Sequence, residues 1–89
     1  MLFRSYGPAR ERYEEARPIY AAIGVRAGEA FTCWFLGLTY EETDPARAAE
    51  LMQICVDFER SIGHPDTEAD AARVAAIRQR INDDQAQTQ

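Results

Sequence analysis

Apolar positions recur at helical spacing through most of the chain. Ala9, Tyr13, Ala16, Tyr20 and Ile23 fall at steps of four and three, a single stripe along one helix. The pattern predicts a first helix over about residues 8–23, with Pro8 at the first helical position and Gly24 as a left-handed C-cap. Pro18 interrupts it. An interior proline removes a backbone hydrogen bond and costs about 3 kcal/mol, so a kink is expected there, or a fresh start after Arg17. A second helix over about residues 28–42 carries Phe31, Cys33, Trp34, Phe35, Leu36, Leu38 and Tyr40. It is apolar nearly all round, which marks a helix covered on several sides or one that presents a binding face. Asp44-Pro45 starts a third, as N-cap and N1. Its stripe is Ala48, Leu51, Met52, Cys55, Phe58 and Ile62, and Gly63 ends it. His64-Pro65-Asp66-Thr67 is a turn, and Thr67 with Asp70 resembles a capping box for which Asp66 competes. A fourth helix over about residues 68–81 carries Ala69, Ala72, Val74, Ala76, Ile77 and Ile81. Residues 82–89 are polar and expected to be frayed or disordered. No segment reads as a strand, and the short connections imply that consecutive helices pack antiparallel.

The pattern also repeats once, 39 residues on. Ile23-Gly24 returns as Ile62-Gly63, and Glu29-Ala30 as Glu68-Ala69. Ala9-Arg10-Glu11 returns more weakly as Ala48-Ala49-Glu50. Each Ile-Gly closes a helix and each Glu-Ala opens the next, as expected for stacked two-helix units, which normally bind other proteins.

Composition narrows the picture. A chain of 89 residues is one domain, near the lower end of what buries a useful core alone. With 46% hydrophobic and 28% charged residues, most of it can fold. The net charge of −5 argues against binding nucleic acid, which needs a basic face. No apolar run approaches the ~20 residues that span a bilayer, and Met1-Leu2-Phe3-Arg4 does not read as a signal peptide, so a cytoplasmic protein is expected. Cys33 and Cys55 fit neither a redox pair nor a zinc pattern. Both fall on apolar helix faces and read as buried free thiols, with a disulfide as the alternative.

Cys33-Trp34-Phe35-Leu36-Gly37-Leu38-Thr39-Tyr40 resembles the first helix of a tetratricopeptide repeat, where Leu36, Gly37 and Tyr40 match and Cys33 replaces the aromatic. Ala48 and Met52, followed by Cys55, match the spacing of the second helix. Small Gly37 and Ala48 suit a close helix crossing, with Tyr40 and Met52 filling the adjacent gaps. The 39-residue unit is similar to the longer repeats of bacterial regulatory proteins. The resemblance covers residues 6–81, between an N-terminal segment 1–5 and the polar tail 82–89. It implies an all-α fold of four antiparallel helices, stacked as two helix-turn-helix hairpins in a TPR-like superhelix fragment. The first helix looks like the second half of a repeat. Either the chain is a piece of a longer array, or Leu2 and Phe3 belong to a remnant of the missing half. About two repeats are fewer than the three such proteins usually need, so a homodimer or a place in a longer array is expected.

The same resemblance implies a concave partner-binding face of Phe31, Trp34, Leu38, Glu41 and Glu42 from the second helix, with Asp70, Arg73, Ile77 and Arg80 from the fourth. An aromatic patch rimmed by Arg and Glu suits a protein or peptide partner. Trp34 and Phe35 have an alternative, as core or as a self-interface. The family's grip on C-terminal carboxylates is not expected, because the chain has no Lys and Trp34 and Leu38 stand where polar groups are needed. Nothing points to catalysis. His64 is the only histidine and lies in a turn. Glu14-Glu15 and Glu41-Glu42 are adjacent on helices, point apart, and read as solvated. No cofactor or metal is expected. The reading is a non-catalytic protein-interaction scaffold. The alternative is an effector-sensing or oligomerisation module of a larger bacterial regulator, with a small ligand between its helices.

Overall fold

The computed structural model describes residues 7–87, and the suggested remnant at Leu2 and Phe3 lies outside them. Four helices account for nearly all of that span, and no strand occurs among the described residues. They are α1 (Gly7–Ala22), α2 (Arg26–Tyr40), α3 (Pro45–Ile62) and α4 (Thr67–Gln87). α1 runs through Pro18 as one helix.

The repeated Ile-Gly is a repeated helix stop. Gly24 has φ 75° and Gly63 φ 67°. At the first, the Gly24 amide donates to the Ala21 carbonyl and the Val25 amide to that of Tyr20. At the second, Gly63 donates to Arg60 and His64 to Glu59. Both are Schellman motifs, which need a left-handed residue at the turn. Asp44 caps α3 as expected, its Oδ1 accepting from the Arg47 amide at 3.2 Å. The capping box at Thr67 does not form. Its hydroxyl donates back to the His64 carbonyl at 2.7 Å, and the Asp70 amide goes to the Asp66 carbonyl. α4 also continues six residues past Ile81, through the segment expected to fray. The residues of that extension are exposed, and a Gln79–Asp83 side-chain bond supports it.

Among the described residues, helix backbones approach closely only between chain neighbours: α1 with α2, α2 with α3, α3 with α4. A closed bundle would bring α1 to α4. This chain instead forms an open stack with extents of 45 × 32 × 22 Å. The main core cluster is Ala48, Ala49, Met52, Val56, Val74 and Ile77, with Trp34 and Leu38 packed against it. Cys33, Leu36 and Leu51 form a second cluster between α2 and α3. The tightest crossing is at Gly37, where an added Cβ would lie 2.6 Å from Met52 and 3.0 Å from the Ala48 carbonyl. α1 contributes no fully buried residue.

The 39-residue register survives in three dimensions. Tyr13 stacks on Phe35 across the α1–α2 seam. Their counterparts 39 residues on, Met52 and Val74, share the core cluster across the α3–α4 seam. Tyr20 lies over Gly28 in the first seam. The counterpart of Tyr20 in the second is Glu59, a carboxyl where its twin is an aromatic ring.

Candidate functional site

Two open clefts meet on the side of α2 that lies between α1 and α4. The first, about 380 Å³, is floored by Leu38 and Thr39 and walled by Tyr13, Phe35 and Arg73. Glu41 and Glu42 close its end. The Tyr13 and Phe35 rings are stacked, 5.9 Å between centroids and 20° between planes, with Phe35 46% exposed. The second, about 450 Å³, shares Glu41 and Glu42 and adds Pro45, Arg80 and Ile81 with Asp83 and Asp84 from the α4 extension. Glu41 stands between the two. One of its oxygens takes Arg73 at 3.0 Å, the other Arg80 at 3.6 Å. These arginines are more than half exposed, so the pairs order the rim and add little stability.

The α1 wall is held by a cluster around Tyr40. The Arg10 guanidinium lies 3.8 Å from the Tyr40 ring centroid and that of Arg47 4.8 Å, so cations from α1 and α3 meet one α2 ring. The Tyr40 hydroxyl donates to Glu14 at 2.8 Å, which with partial burial raises its pKa. Arg10 also donates to the Thr39 carbonyl and hydroxyl, and that hydroxyl donates on to the Leu36 carbonyl at 2.6 Å.

The sequence-predicted residues divide. Leu38, Glu41 and Arg73 meet at the first cleft, and Arg80 with Glu41 at the second. The others do not join them. Ile77 is 2% exposed and belongs to the core, so it offers a partner no surface. Trp34 is half-buried and packs against the α3–α4 core. Phe31 lies toward the other end of α2, edge-on to Phe58 and to His64 at 6.2 Å each. Asp70 turns to Glu59. Tyr13 and Phe35 were not in the expected face, because their stacking depends on how α1 docks, which no local pattern reveals.

Glu59 is the unusual ionisable group. It is 1% exposed, and its Oε1 has no hydrogen-bond partner. Oε2 lies 3.4 Å from His64 Nδ1, a nitrogen that also accepts the Asp66 amide at 3.1 Å. Burial raises the Glu59 pKa, and its hydrogen bond with Asp70 raises it further, while the nearby His64 works the other way. A sealed carboxyl cannot reach a substrate, so the cluster reads as structure. Cys33 and Cys55 are free and buried. Burial raises both thiols, Cys55 to about 12, so neither is a nucleophile. No group of His, Cys, Asp and Glu among the described residues is arranged to hold a metal. No helix among them is long and apolar enough to cross a membrane.

No known family's profile matches this chain, and neither a curated protein nor a solved structure does.

Proposed function

We propose that the protein is a TPR-like protein-interaction module that takes a peptide or protein segment along the α2 clefts. The observation that carries this reading is the half-exposed, stacked Tyr13–Phe35 pair beside a Glu41–Arg73–Arg80 rim. Exposed aromatics flanked by Arg and Glu are the residue types on which binding energy concentrates. The clefts are open and adjoin at Glu41–Glu42, which suits an extended segment better than an enclosed small ligand. The Gly37–Ala48 crossing and the neighbour-only approach of the helix backbones support the TPR-like part of the reading. The free thiols suit a reducing compartment, in keeping with a cytoplasmic location.

The test is affinity capture followed by titration of the purified partner against variants. Phe35→Ala and Leu38→Ala each weaken binding at least about tenfold, equivalent to about 1.4 kcal/mol. Circular dichroism identifies any variant that merely unfolds. A partner that binds a well-folded Phe35→Ala protein as tightly as the parent overturns the proposal.

A further inference from the structure

The internal repeat assigns a partner to two surfaces that the fold leaves open. On α2, Ala30, Cys33 and Gly37 are buried against α3. Their counterparts 39 residues on are Ala69, Ala72 and Ala76, and all three are exposed on α4. α3 answers α2 with Ala48 and Leu51, then Cys55 and Phe58. Their counterparts 39 residues back are Ala9, Arg12, Ala16 and Ile19 on α1. Ile19 is 60% exposed, and Ile23, one turn further along this side of α1, is 65% exposed. The register and the small residues of the α2–α3 contact thus recur on α4 and α1, with Arg12 in place of Leu51 and Ala75 in place of Leu36, and neither recurrence is joined. These faces belong to α1 and α4, which do not pack on each other within the molecule.

We infer that the α4 alanine face of one molecule docks the Ala9–Ala16–Ile19 face of α1 of a second copy, in the manner of α2 on α3. The occupant is committed by register: the face that α1 presents is the repeat of the one that α2 already buries. Small residues on α4 allow close approach, as Gly37 does to Ala48, and Ile19 takes the place of Phe58. Because the two surfaces differ, the contact is heterologous. It does not close at two copies but extends head to tail. The inference is independent of the cleft.

Sedimentation equilibrium on the whole chain tests it. The weight-average mass of the parent rises by at least about twofold between micromolar and millimolar concentration, without a plateau at the dimer. Ala76→Arg blocks one end and Ile19→Arg the other. Both sites are exposed and Arg is a good helix former, so circular dichroism should remain that of the parent. Each variant alone stays monomeric. Mixed together they form a one-to-one pair, because each retains the end that the other has lost. Phe35→Ala associates like the parent. A parent that stays monomeric throughout overturns the inference. So does a plateau at the dimer, a variant that still associates alone, or a mixture that fails to pair.

Discussion

Replacing Glu59 should make the protein more stable at neutral pH, although Glu59 is among its most buried residues. In the folded chain burial and the hydrogen bond with Asp70 favour the protonated carboxyl and raise its pKa above the ordinary value of 4.5. Below that value the folded and unfolded chains both carry the proton, and the group adds no pH dependence. As pH rises, the unfolded chain releases the proton first. Stability therefore falls with pH until the folded group also ionises, at a slope of up to about 1.4 kcal/mol per pH unit for one proton. Glu59→Gln keeps the shape and removes this titration, so its advantage over the parent grows with pH. Glu59→Leu also removes the unpartnered buried Oε1, which is worth about 1–3 kcal/mol. Little is lost in exchange, since Asp70 and His64 are only half-buried and can turn to water. Urea unfolding followed by circular dichroism at about pH 5 and about pH 8 measures both effects, and 1 kcal/mol moves Tm by about 4–8 °C in a chain of this size. The reasoning is refuted if the gap between Glu59→Gln and the parent is the same at both pH values. It is also refuted if either variant is the less stable at about pH 8. In that case a charged Glu59–His64 pair would be stabilising the fold.

Gly37→Ala should destabilise by about 1–3 kcal/mol in thermal unfolding. The Ala48 carbonyl is backbone and cannot swing away, and the gain of about 1 kcal/mol in helix propensity does not offset the clash. Tyr40→Phe removes only the bond to Glu14, and should lower stability by about 0.5–1.5 kcal/mol in urea unfolding while leaving helicity intact. A thiol reagent should label neither Cys33 nor Cys55 in the native protein near neutral pH and both after denaturation; rapid native labelling of Cys55 contradicts its burial and its pKa of about 12.

Helix positions were legible because apolar stripes and stop signals agree. Ile23-Gly24 and Ile62-Gly63 end helices by one hydrogen-bond pattern, and Asp44-Pro45 starts one by its side chain. The Gly37–Ala48 crossing was legible because small residues at that spacing serve close approach. What stayed hidden depends on rotation between helices. Ile77 looked like part of a concave face, but α4 is turned so that Val74 and Ile77 both face α3. Tyr13 and Phe35 carry no mark of their pairing, since they lie 22 residues apart on helices whose relative phase only packing sets. Glu59 carries no mark in the sequence that sets it apart from its charged neighbour Arg60, and only the third dimension seals it. The α4 extension escaped notice because an exposed helix has no apolar stripe to read.

That α1 has no fully buried residue also sets a gradient of local opening. Its docking rests on Tyr13, Tyr20 and the polar cluster around Arg10 and Tyr40. Amide hydrogen exchange should accordingly be faster in α1 than in α3, which lies between two packed neighbours. Since Tyr13 forms one wall of the first cleft, that wall exists only while α1 is docked. Anything that seats against Tyr13 is thermodynamically linked to the closing of α1, and slows exchange along the whole helix.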